Sequence, residues 1–166
     1  WSLVQAYFRM EDPTQIREIG LELRLEAQVG SLSLRGIIDR LELDAEGGLV
    51  VTDYKTGKPP SAPQVKAGFA LQLGLLGAIA EAGGFGDLGT EVEAEAFEYW
   101  SLAKGRDSFG YRYSPVKPGG TDKIVATEAL VDHARTQFLI DAGKWLTGTE
   151  PFVAKLNPDL PLYEDY

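Results

Sequence analysis

The sequence predicts a mixed α/β (α+β) fold, an antiparallel β-meander joined by one parallel strand and flanked by two long helices. Three observations predict it. Residues 21–55 hold three strand-like segments separated by turn-forming residues. Two apolar stretches at helical spacing follow, over 62–82 and 127–146. A further strand-like segment at 91–102 falls between them, and a strand reached through a helix pairs in parallel with an earlier one. At 166 residues the chain has the length of one domain with its own core, so residues 1–166 are expected to form a single unit.

Residues 1–10 place Trp1, Val4, Tyr7 and Phe8 at helical spacing and read as a helix end, broken at Glu11-Asp12-Pro13. From Leu21 to Val29 apolar residues alternate with Glu22, Arg24, Glu26 and Gln28, the signature of a half-buried strand. Gly30-Ser31 is a hairpin turn signal, and residues 32–43 form the next strand. Asp44 to Gly48 is the following turn, and residues 49–55 complete the meander. The loop Thr56-Gly57-Lys58-Pro59-Pro60 leads to Ser61, an N-cap with Gln64 as its capping-box partner. One long helix is expected over 62–82, with Phe69, Leu73, Leu76 and Ala80 along one face and Gly83-Gly84 as its stop. Residues 91–102 alternate and then turn aromatic at Phe97, Tyr99 and Trp100, giving the parallel strand. Residues 104–120 read as a loop with a short strand at 110–113. The second helix carries Glu128 in its first turn and Lys144 in its last, matching the helix dipole. The tail from Pro151 has no periodicity. The chain opens at Trp1 without methionine, as expected of a part of a longer protein.

Composition excludes several classes of function. There is no cysteine, hence no disulfide, thiolate zinc site or cysteine-ligated iron–sulfur cluster within this chain. With one histidine, His133, a zinc site would need three carboxylates. No apolar run approaches the roughly 20 residues of a membrane helix. The balance is acidic, 25 Asp plus Glu against 16 Lys plus Arg, for a net charge of −9. This opposes a free-standing DNA binder, because phosphate contacts demand a basic face. A domain that acts on DNA tolerates it when another domain or subunit holds the DNA.

The chemistry is concentrated in two strands. Side chains alternate along a strand, so Asp53 and Lys55 share a face. With the hairpin tip near Glu46, Asp39 falls roughly opposite Asp53, with Cβ atoms about 5 Å apart. Two such carboxylates repel unless a divalent cation or a proton neutralises them, and a register slip of one residue would separate them. Mg²⁺ prefers carboxylate oxygen and water, so Asp39 and Asp53 are candidate metal ligands, with the backbone carbonyl of Tyr54 as a possible third. Lys55 could orient the attacking water or stabilise the developing oxyanion. Gln72, polar within an apolar run, could hold water or phosphate. Taken alone, Asp-x-Lys on a strand is most often a surface ion pair of little worth. Lys55-Thr56-Gly57-Lys58 lacks the spacing of a phosphate loop. His133 reads as a partly exposed helix residue.

Taken together, Gly36-Ile37-Ile38-Asp39-Arg40, Asp53-Tyr54-Lys55-Thr56-Gly57-Lys58 and Gln72-Leu73 resemble, in order and spacing, the RecB-type branch of the PD-(D/E)XK nuclease superfamily. Within that branch the chain looks most like the C-terminal nuclease domains of the AddB family. The resemblance is densest over 36–79 and weaker at Pro151-Phe152 and Glu164-Asp165-Tyr166. It implies a restriction-endonuclease-like core and Mg²⁺- or Mn²⁺-dependent DNA exonuclease activity in double-strand break resection. The implied partners are a single DNA strand delivered by a helicase and an AddA-like helicase–nuclease subunit. The implied location is the cytoplasm, at the nucleoid. Asp39 and Asp53 would be the metal-binding acids, Lys55 the catalytic lysine and Gln72 the helix glutamine. The chain also departs from the pattern. Family members often have tyrosine four residues after that glutamine, where this chain has Leu76. The metal-ligating histidine of an upstream helix has no counterpart, and His133 lies far downstream, so that ligand is expected before Trp1. Glu22 and Glu26 are local acidic candidates. The iron–sulfur cluster of many AddB proteins has no cysteines to hold it here. Two other readings stay open: a catalytically inactive scaffold that binds a helicase partner, and a standalone nuclease of viral or restriction type.

Overall fold

The computed structural model describes residues 17–83, 92–104 and 109–151. The expected helix over 1–10 and the tail beyond 151 lie outside these residues. The meander forms from β1 (Arg17–Val29), β2 (Leu32–Leu43) and β3 (Leu49–Lys55). Gly30, at φ 61, makes the first turn in the left-handed conformation that favours glycine. In the second turn Asp44 Oδ1 accepts the amides of Glu46 (3.0 Å) and Gly48 (2.8 Å), a side chain standing in for turn carbonyls. β4 (Ala94–Lys104) pairs in parallel with β3, as the sequence predicts, and β5 (Phe109–Tyr113) closes the sheet antiparallel to β4. The order is β1-β2-β3-β4-β5.

The first helical stretch is corrected. Instead of one helix over 62–82, there are two, α1 (Ala62–Lys66) and α2 (Gln72–Glu81). The break centres on Gly68, at φ +81. The amide of Gly68 donates to Val65 O and that of Phe69 to Gln64 O, which ends α1. A Cβ on Gly68 would lie 2.6 Å from Cγ of Gln137. The apolar periodicity runs through this break unchanged, which is why it suggests one helix. Phe69 is turned out of the expected apolar face. The capping pair does form, with Gln64 Oε1 accepting from Ser61 N at 2.8 Å and Ser61 Oγ at 2.9 Å. We expect Gly68→Ala to cost roughly 1–2 kcal/mol from the positive φ, with an added contribution from displacing Gln137. Gly47→Ala shares the strain, at φ +90, but none of the described residues lies within 4 Å of its Cβ. Urea unfolding of both variants separates the two contributions. Equal losses would show that Gln137 moves freely.

The second helix begins as a 3₁₀ turn (Thr127–Ala129) and continues as α3 (Leu130–Trp145). α2 lies on one face of the sheet and α3 packs on α2. Glycines permit the close approach: a Cβ on Gly77 would be 2.9 Å from Phe97, one on Gly74 2.5 Å from Ala134, and one on Gly36 2.9 Å from Leu76. The core between these layers includes Ile38, Leu41, Val51, Leu73, Leu76, Ile79, Phe97 and Leu130. His133 is half-buried, with Nε2 3.1 Å from Val65 O, and joins α3 to α1.

The other face of the sheet carries an ionic and aromatic layer. Arg40 pairs with Thr52, Tyr54 with Trp100, and Trp100 with Arg112 in register, so these side chains share that face. Arg40 forms a buried ion pair with Glu42 and stacks 4.8 Å from the Trp100 ring centroid. Arg112 lies 5.0 Å from the same centroid, and Glu98 Oε2 accepts from Trp100 Nε1 at 2.8 Å.

Candidate active site

Asp39, Asp53, Lys55 and Gln72 come together at the end of β3, where β2 and β3 part. The last backbone pair between these strands is Arg40 with Thr52. Beyond it, the Asp39 carboxylate continues the contact, with Oδ2 accepting the Tyr54 amide at 2.8 Å. The alternation of β2 breaks at this point. Ile38 and Leu41 are three residues apart, yet both are buried in one apolar cluster, which a regular strand cannot achieve. Asp39 therefore reaches β3 through its side chain rather than as a ladder pair opposite Asp53. Tyr54 meets the site through its amide.

Asp53, Lys55 and Gln72 form a closed triangle. Gln72 Nε2 donates to Asp53 Oδ1 at 2.7 Å, and Lys55 Nζ donates to Gln72 Oε1 at 2.9 Å. Lys55 Nζ is also 2.6 Å from Asp53 Oδ2, a close ion pair. The amide of Gln72 is thus oriented by its neighbours, nitrogen to the carboxylate and oxygen to the ammonium. The helix break makes this possible. Gln72 opens α2, rather than lying in the middle of a long helix, and its side chain projects back over β3.

Asp53 is only 3% exposed. Burial raises the pKa of its carboxyl; Lys55 opposes this by hydrogen bonding and charge, and the nearby Asp39 carboxylate adds to the rise. The buried Oδ2 meets the Lys55 ammonium and, as a carboxylate oxygen, keeps a second lone pair. The carboxylates of Asp39 and Asp53 are hard oxygen donors, which suit a divalent cation that takes one or two carboxylates and keeps its waters. Among the described residues no group of three or more His, Asp or Glu side chains gathers around a metal position. Glu26 is committed elsewhere. Ser33 Oγ donates to it at 2.6 Å and Arg35 Nε at 3.0 Å, and these contacts lower its pKa. The Glu22 side chain lies outside the described residues.

Sequence reasoning missed Tyr99. It sits beside Asp53 in the β3–β4 register, fully buried, and its hydroxyl has no hydrogen-bond partner among the described residues. Burial, together with the Asp53 charge, pushes its pKa well up. Lys55 Nζ lies 5.5 Å from its ring centroid. The aromatic run at 97–100 is visible in the sequence, but which member meets Asp53 depends on a parallel register that local pattern does not encode. Ser101, next to Lys55 in that register, donates to Gly57 O at 2.9 Å and holds the loop after β3.

Among the described residues no helix is long and apolar enough to cross a membrane. A family model described as the PD-(D/E)XK nuclease superfamily matches residues 2–154. The five-stranded sheet with one parallel pair and its covering helices is consistent with a restriction-endonuclease-like fold. No curated protein matches the chain.

Proposed function

The chain belongs to the PD-(D/E)XK nuclease superfamily, and on that premise we propose that it hydrolyses DNA phosphodiester bonds at the Asp39–Asp53–Lys55–Gln72 site with Mg²⁺ or Mn²⁺. The observation that carries this reading is the closed triangle of Asp53, Lys55 and Gln72 beside the Asp39 carboxylate. A stability-driven surface has no use for a buried acid with raised proton affinity next to a second acid. Perturbed acids in such clusters mark functional sites.

Asp39 and Asp53 are the residues that would hold the cation, which when bound neutralises charge on the scissile phosphate and acidifies a water. Lys55 contributes an ammonium held at a defined place by two partners. It is positioned to donate to a non-bridging phosphate oxygen as negative charge grows there, the kind of preorganised donor that stabilises a transition state. Gln72 binds no reacting atom in this scheme. It orients Lys55 and one oxygen of Asp53 at the same time. The more specific reading, an AddB-like exonuclease domain acting on one strand from a helicase in break resection, rests on the motif resemblance over 36–79. The acidic net charge fits an arrangement in which an AddA-like partner supplies the basic DNA path.

The test is cleavage of a labelled single-stranded oligodeoxynucleotide with Mg²⁺ or Mn²⁺. We expect Gln72→Ala to lower kcat by about 10- to 100-fold, the usual cost of removing an orienting partner, with the melting temperature lowered by only several degrees for the lost bond to Asp53. A Gln72→Ala enzyme as fast as the parent would remove Gln72 from the scheme. Absence of any metal-dependent cleavage by the intact protein would contradict the function itself.

A further inference from the structure

We propose that the groove between the loop after β3 and the break before α2 holds one unpaired nucleobase of the substrate strand, stacked on Phe69, with Lys58 on the adjoining phosphate. This rests on the nuclease reading above and adds a strand-selecting element to it. The groove has a volume of about 500 Å³, and Lys58, Pro59, Pro60, Gln64 and Phe69 are among its lining residues.

Four observations support this occupant. First, Phe69 is 47% exposed, whereas Leu73, Leu76 and Ile79 of the same apolar run are buried. Its outward position is built in, because Gly68 takes φ +81 and the Phe69 amide is tied to Gln64 O at 2.9 Å. Second, the charge fits a phosphate. The chain has net charge −9, yet none of the described residues lining this groove is acidic and one is lysine. Third, the walls are rigid. Two consecutive prolines form one side, Ser101 pins Gly57, and Tyr113 Oη accepts the Ala62 amide at 2.9 Å. A rigid aromatic platform loses little entropy on stacking. Fourth, the groove lies close to the site along the chain. Lys58 follows Lys55 by three residues and Phe69 precedes Gln72 by three, and Lys55 and Gln72 are hydrogen bonded. Three residues span at most about 11 Å, so a base here belongs to a nucleotide close to the scissile phosphate.

The consequence is selectivity. A base inside a duplex has both faces covered by its stacked neighbours, so only a single strand can offer a face to Phe69. Stacking on an aromatic side chain tolerates any base, since each has a π-face, so the groove would select strandedness without selecting sequence.

The test is equilibrium binding of fluorescent oligothymidylate to the intact protein with chelator present, so that no cleavage intervenes. Phe69→Ala should weaken binding about tenfold, about 1.4 kcal/mol, while Phe69→Trp keeps parental affinity. In a series of oligonucleotides with one abasic position each, one member should bind the parent as weakly as it binds Phe69→Ala. The Lys58→Ala defect should shrink as salt rises. Melting curves of each variant exclude a folding defect, and the abasic series needs no variant at all. If Phe69→Ala binds as well as the parent, or every abasic oligonucleotide binds equally, the stacking site is wrong even where the parent cleaves DNA. Phe69-dependent binding without cleavage would overturn the nuclease reading and keep the site. No binding of single strands at all would overturn this proposal.

Discussion

Asp53→Asn is expected to reduce metal-dependent DNA cleavage by about 10³-fold or more, and at neutral pH to make the protein more stable than the parent. The first effect follows from losing a carboxylate that would bind the cation. The second follows from the environment of Asp53. Its carboxyl is buried, with a pKa above its ordinary range despite the ion pair with Lys55. The folded protein therefore holds the Asp53 proton more tightly than the unfolded chain does. Stability from this group is greatest at low pH, falls as pH rises from the ordinary aspartate range through the raised folded value, and stays reduced above it. Asparagine keeps an oxygen for Gln72 Nε2 and carries no charge, so the reduction disappears. Thermal melts of parent and variant across pH 3–8 check this. The variant should melt higher at pH 7, and its advantage should fade towards pH 3. A variant that melts lower at every pH would mean that the Lys55 ion pair outweighs burial, and that Asp53 serves the fold rather than a reaction.

Arg40→Met should destabilise the protein by about 3–5 kcal/mol, because it leaves the Glu42 carboxylate buried without its ion-pair partner. Glu42 is only 1% exposed, and Arg40 also stacks on Trp100. For a chain of this size the loss corresponds to a drop of roughly 6–20 °C in Tm. The double variant Arg40→Met/Glu42→Leu should recover most of it, since replacing a whole buried pair by apolar groups is near neutral. Calorimetric melts of the two single variants and the double variant give the coupling energy directly. If Arg40→Met melts with the parent, the pair is not what holds Glu42 in the sheet. This pair lies on the face opposite Asp53, so the variant separates loss of fold from loss of the site.

Much of the site is legible in the sequence because strand alternation is a strict rule. Asp53 and Lys55 are two residues apart and therefore share a face, and the structure places their charged atoms 2.6 Å apart. The turn at 44–48 brings Asp39 back to the same end of β3, although by its side chain and not by the ladder pairing that simple numbering suggests. Gln72 stands out as polar in an apolar run, but its reach depends on the break at Gly68. One glycine within a helical period carries no sign of its backbone conformation until Gln137 is packed against it. Tyr99 is illegible for a different reason. Its place beside Asp53 depends on the parallel register of two strands separated by a helical crossover, a tertiary fact with no local signature. Arg40 and Glu42 form an i, i+2 charge pair that reads the same whether solvated or buried. Their role is set by Trp100, sixty residues on from Arg40. The fold class, by contrast, follows from patterns repeated over many residues, which one misplaced glycine does not disturb.

The central claim, that the Asp39 and Asp53 carboxylates converge to hold a divalent cation, is tested most directly by calorimetric titration of Mn²⁺ into the parent, Asp39→Asn and Asp53→Asn proteins. The account predicts saturable binding of Mn²⁺ to the parent that is lost or greatly weakened in each variant. Parental binding that survives both substitutions, or a parent that takes up no Mn²⁺, would contradict it.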